Sequence, residues 1–146
     1  MGWIKKKMLV LPLLCCLFLL SCSADQRGSD SSFQDSAALQ PGTYRKISSK
    51  EAKEMMDVGR ATVVDVRTEA EYREKHIPGA VLVPNETIRA EAPEELPNKE
   101  TVLLVYCRSG VRSKAAAEKL ISLGYQNVYD FGGIIDWPYE TVAGEE

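Results

Sequence analysis

The chain has 146 residues, 45% hydrophobic and 27% charged, which suits one globular domain and excludes a disordered or fibrous protein. A formal net charge of −3 argues against nucleic-acid binding, which calls for a basic excess, and one histidine is too few for a histidine-built zinc site. Four cysteines remain as candidate chemistry.

Residues 1–22 read MGWIKKKMLVLPLLCCLFLLSC, three lysines followed by a thirteen-residue apolar run from Met8 to Leu20. The run falls short of the roughly 20 residues that cross a bilayer and matches the apolar region of a secretory signal. Leu19-Leu20-Ser21-Cys22 is similar to the bacterial lipobox, in which a small residue precedes a cysteine that is diacylated and becomes the mature N-terminus. The expectation is a signal peptide at 1–21 and a lipidated Cys22, with export to the outer face of a bacterial membrane. Ordinary signal cleavage near Ser23-Ala24 is the alternative. Two acyl chains anchor stably, where one binds only marginally. Removing residues 1–21 deletes Lys5, Lys6 and Lys7 and no acid, which moves the net charge to −6. Cys15 and Cys16 leave with the leader and Cys22 is blocked by lipid, so Cys107 is the one free thiol expected.

Residues 22–42 are rich in Ser, Asp, Gln, Ala and Gly and have little to bury, which predicts a flexible tether. Its random-coil reach is about 25 Å. A single domain is expected over 43–146. Ser48-Ser-Lys-Glu51 fits a capping box that opens a helix to about Met56. Ala61–Val66 is a β-branched run, read as a buried strand. A second capping box, Thr68-Glu-Ala-Glu71, opens a charged helix to about Lys75. Ile77-Pro78-Gly79 is turn chemistry and leads to a short strand at Ala80–Val83. A helix-like stretch follows from about Asn85 to Glu91, and Pro93 and Pro97 punctuate the way to the next strand. That strand, Thr101–Tyr106, is the most hydrophobic of the domain. Ala115 to Leu123 places Ala116, Ala117, Leu120 and Ile121 on one helical face, with Gly124 closing the helix. Asn127–Phe131 is the last strand, before Gly132-Gly133. Continuous apolar strands alternating with helices indicate an α/β domain with a mostly parallel sheet.

The chemistry concentrates in Tyr106-Cys107-Arg108-Ser109-Gly110-Val111-Arg112-Ser113. A strand ends in a cysteine, a tight loop with glycine and two arginines follows, and a helix begins. Ligands of open α/β sheets bind outside the carboxyl ends of the strands. A helix N-terminus there presents free N–H groups and positive dipole, and both lower a thiol pKa. Cys107 thus reads as a thiolate nucleophile in an anion cradle; a small buried structural cysteine is the bland alternative.

Cys107-Arg-Ser-Gly-Val-Arg112 resembles the active-site loop of the rhodanese family of sulfurtransferases. Asp65-Val-Arg67, Glu71-Tyr72 and His76-Ile-Pro-Gly-Ala80 resemble the family's N-terminal signature, and Val128-Tyr-Asp-Phe-Gly-Gly133 with Trp137 its C-terminal one. The resemblance implies the rhodanese fold, an α/β unit with a five-stranded, mostly parallel sheet and helices on both faces. It also implies a ping-pong cycle in which Cys107 takes sulfane sulfur from a donor such as thiosulfate or polysulfide and passes it from a persulfide to a thiol or other nucleophile. Backbone N–H groups from Arg108, Ser109, Gly110, Val111 and Arg112 would hold the anionic sulfur. Arg112 would steady loop and donor together, and an exposed Arg108 would steer anions. No cofactor and no metal is implied.

The four residues between Cys107 and Arg112 suit a single sulfur, whereas related phosphatases use five. A phosphatase or arsenate reductase is therefore the lesser alternative, beside a non-catalytic persulfide carrier that serves a protein acceptor. Asp65 and Arg67 are expected to brace the loop from behind, with Glu71 as partner of Arg67. His76 is expected to be structural and Trp137 to pack in the core. Ser109 is neutral where many thiosulfate-using members carry a second basic residue. The expected partners are a small sulfur anion, a thiol acceptor and, through the anchor, a membrane; a monomer is expected.

Overall fold

The structure, a computed structural model, describes residues 42–144. The leader at 1–21, Cys22 and the tether up to residue 41 lie outside the described residues. In chain order the elements are β1 (Arg45–Lys46), α1 (Ser49–Asp57), β2 (Ala61–Asp65), α2 (Glu69–Glu74), β3 (Val81–Leu82), β4 (Val102–Cys107), α3 (Val111–Ser122) and β5 (Asn127–Gly133), followed by a 3-10 turn at Ile134–Asp136. The five strands form one sheet in the order β1-β5-β4-β2-β3. Every pairing is parallel.

β4 is central because it is apolar on both faces. Leu103, Val105 and Cys107 join a core with Ala116, Ala117 and Leu120 of α3. Leu104 and Tyr106 join a second core with Ala52 of α1, Phe131 and Trp137. Alternate side chains of a strand point to opposite faces, so α1 and α3 cover opposite sides of the sheet. Both capping boxes form. The Ser48 hydroxyl accepts the Glu51 N–H and the Glu51 carboxylate accepts the Ser48 N–H; Thr68 and Glu71 repeat the arrangement.

Two expectations change, and the fifth strand of the expected sheet finds its place. The stretch from Asn85 to Glu91 is not helical; it forms a turn, with the Thr87 N–H on the Pro84 carbonyl at 2.8 Å. Tertiary bonds hold its first residue away from helix geometry. The Asn85 N–H donates to the Val66 carbonyl, and the Asn85 carbonyl accepts Lys119 Nζ at 2.7 Å. The last helix begins at Val111, four residues before Ala115, because Gly110 adopts a left-handed φ of 98° and turns the chain directly into α3. The fifth strand is β1, whose two residues are too few to show a pattern in sequence.

Candidate active site

β4 delivers Cys107 to the carboxyl end of the sheet, and α3 starts four residues later. Cys107 is only 1% exposed, at the base of the turn. The Gly110 N–H donates to its sulfur at 3.1 Å. Burial pushes the thiol pKa up, but the N–H groups of Ser113, Ser109 and Gly110 outweigh it, so the net shift is downward. Of the expected cradle, Ser109 and Gly110 aim N–H groups at the sulfur, and Ser113, one residue beyond it, joins them. Arg108 and Ser109 have exposed side chains, and Val111 is 77% exposed.

Arg112 makes a two-pronged ion pair with Glu71, at 2.7 and 2.8 Å. Glu71 is therefore the partner of Arg112 and not of Arg67, which corrects the expected pairing. The reason is topological: α2 and the start of α3 meet at the same end of the sheet, a neighbourhood that sequence distance conceals. The Arg112 hydrogen bonds are the main cause that pulls Glu71 down to about 2.

Arg67 instead grips Asp65. Its Nε and Nη2 lie 2.6–3.0 Å from the Asp65 oxygens, and Nη2 also donates to the Lys75 carbonyl at 2.6 Å. Both residues are buried. The pair ties the end of β2 to the end of α2. A cleft of about 410 Å³ opens beside the loop, with Arg67, Glu71, Lys75, Arg108, Ile134 and Ile135 among its walls. It adjoins the Cys107 loop through Arg108, whose carbonyl accepts the Ile135 N–H at 3.3 Å.

Two further residues escaped the sequence reading. Asp130, 1% exposed, accepts the Ser113 hydroxyl at 2.7 Å and the Gly132 N–H at 2.8 Å. Gly133 lies under the loop: a Cβ there would stand 2.7 Å from the Ser109 Cα and closer still to the Arg108 carbonyl oxygen. The signal available was Asp130-Phe-Gly-Gly133 itself, an acid two residues before a glycine pair. His76 is buried; it donates from Nδ1 to the Tyr72 carbonyl at 2.9 Å, stacks on the Tyr72 ring and pairs its backbone with Val142. Trp137 packs on Phe131. Among the described residues no three His, Cys, Asp or Glu side chains gather as a metal set.

A sequence model of the Rhodanese-like domain matches residues 48–138. The thiosulfate sulfurtransferase PspE of Escherichia coli is 32% identical over 81 residues, which cover 56% of this chain and 78% of that protein. A tRNA uridine(34) hydroxylase of Hamiltonella defensa is 33% identical over 100 residues, 65% of this chain. That match spans only 28% of the hydroxylase's length. Among solved structures, a rhodanese with anions from E. coli superposes with a TM-score of 0.51 at 31% identity, covering 57% of this chain and 99% of that one.

Proposed function

The chain belongs to the rhodanese-like domain family, and on that footing we propose that it is a sulfurtransferase that carries sulfane sulfur on Cys107. The observation that carries the reading is the cradle itself, a thiol at a strand end with its pKa lowered by converging N–H groups.

The cycle needs no external base. The Cys107 thiolate attacks the outer sulfur of thiosulfate, the donor's S–S bond breaks, and sulfite leaves with the electron pair. The persulfide anion left on Cys107 sits where the N–H groups of Ser109, Gly110 and Ser113 offset its charge. An acceptor thiolate then attacks the outer sulfur, and the Cys107 thiolate departs as leaving group. The exposed Arg108 at the cleft is placed to draw anions in. Similarity to an E. coli thiosulfate sulfurtransferase supports thiosulfate as donor.

The test is intact mass after incubation with thiosulfate. A gain of one sulfur, reversed by dithiothreitol and absent in Cys107→Ser, is expected; turnover of a phosphate ester with no sulfur gain would overturn the reading. Rapid turnover with cyanide or small thiols marks an enzyme, whereas transfer restricted to a protein thiol marks a carrier. We also propose export and acylation at Cys22, for which acyl mass on the N-terminal peptide is the test.

A further inference from the structure

Asp130 lies beneath the Cys107 loop, and among the described residues four donors stand close to its carboxylate. Oδ1 accepts the Ser113 hydroxyl and the Gly132 N–H; Oδ2 accepts the Tyr44 hydroxyl at 2.7 Å and Lys46 Nζ at 3.1 Å. Burial and the Asp130 hydrogen bond raise the Tyr44 pKa, so the phenol stays a neutral donor. Lys46 is the only cation among the four. The register of the sheet pins it there: Lys46 pairs with Asp130 across β1 and β5, and the Ile47 N–H donates to the Asp130 carbonyl at 3.0 Å.

The lysine also lies beside Gly132 and Gly110. Its Nζ lies 3.1 Å from the place of a Cβ on Gly132 and 3.8 Å from that of a Cβ on Gly110. Ser113 joins the two halves of the arrangement. Its hydroxyl donates to Asp130 while its N–H points at Cys107. We infer that Lys46, on the edge strand, is a positioning residue for Cys107: its ammonium neutralises the buried Asp130 carboxylate that holds Ser113 and Gly132 against the nucleophile loop.

The charge arithmetic gives a direction. The groups around the thiol are Arg108 and Arg112 on the loop and α3, the Asp65–Arg67 pair at the end of β2, Asp130 on β5, and Tyr44 and Lys46 at β1. Asp65 has its own guanidinium, and Arg112 is shared with Glu71. Without Lys46, Asp130 becomes an uncompensated negative charge one serine away from the sulfur, and a like charge disfavours the thiolate. Lys46 has a side chain 51% exposed, so its removal leaves the core intact.

The inference rests on Cys107 as the nucleophile but not on any sulfur donor, and its readout is therefore alkylation. Rates of iodoacetamide modification of Cys107 are measured across pH for the full chain and its variants. Lys46→Met is expected to move the midpoint up by roughly one unit and to slow alkylation by about tenfold at pH values below both midpoints. Lys46→Arg should restore both. Lys46→Met combined with Asp130→Asn should return the midpoint toward the original, since both charges are gone. An unmoved midpoint in Lys46→Met, even with a lower melting temperature, would overturn the inference. So would a Lys46→Arg chain that behaves like Lys46→Met. Failure to form a persulfide with thiosulfate, in contrast, would count against the proposed function alone.

Discussion

Arg112 and Glu71, 41 positions apart in sequence, are joined by Nη1 on Oε2 at 2.7 Å and Nη2 on Oε1 at 2.8 Å. The same Glu71 carboxylate accepts the Thr68 N–H and hydroxyl. One side chain therefore caps α2 and fixes the arginine that closes the Cys107 loop. The arginine's geometry is set before any anion arrives, and forked pairing gives it a direction as well as a charge.

This pair has a pH signature. Glu71 is pulled from 4.5 to about 2 in the folded chain. A depressed carboxylate contributes stability that is fully present above its unfolded value and is lost as pH falls from about 4.5 toward 2. Glu71→Gln is expected to lower stability at neutral pH by about 1 kcal/mol, as for well-formed partly exposed pairs. The difference from the parent protein should vanish as pH falls through that window, as read by urea unfolding at a series of pH values.

Asp65 and Arg67 behave differently because both are buried. Arg67→Ala leaves an unpaired carboxylate in the interior, and is expected to cost about 3–5 kcal/mol. Asp65→Asn together with Arg67→Ala removes that charge and should recover part of the loss. Thermal unfolding of the two variants separates these outcomes.

Gly133→Ala tests the bed of the loop. Its new methyl meets backbone of Arg108 and Ser109 that has no flexible end to give way. The loop must move, so sulfur transfer is expected to fall at least tenfold, since small misplacements of reacting groups are costly. Gly59→Ala is the contrasting variant: nothing stands near its Cβ, and only its left-handed φ of 70° opposes the change. It should lose stability while its remaining folded fraction keeps activity.

Cys107 is expected to stay a thiolate to lower pH than free cysteine, because its shift is downward. Its alkylation rate should therefore hold up under acidification that already slows the reaction of free cysteine. Ser113→Ala removes the hydroxyl that ties the start of α3 to Asp130, which loosens the Ser113 N–H from the sulfur, and should move the profile to higher pH. A profile that coincides with free cysteine would contradict the cradle.

Much of this was legible in the order of residues. Two capping boxes located α1 and α2, since each is a local exchange of hydrogen bonds within four residues. The apolar runs located β2 and β4, and Cys107 followed by Gly110 and Arg112 marked the loop. Local sequence also misled where tertiary bonds took over. Asn85 sits in a helix-like stretch, yet its backbone is claimed by Val66 and Lys119. The Glu71–Arg67 pairing was the nearer one in sequence, and lost to Arg112 because α2 and α3 converge in space.

What the sequence determined by itself is the type of unit and where its candidate nucleophile lies: strand and helix periodicity, caps and the Cys107 loop are short-range properties. What only the tertiary structure decided is which charges meet beside the Cys107 loop. Parallel strands meet through crossovers, so β1 and β5 lie side by side although more than eighty residues separate Lys46 from Asp130. Charges interact through space, and neither the Lys46–Asp130 nor the Glu71–Arg112 pair exists until the sheet is assembled.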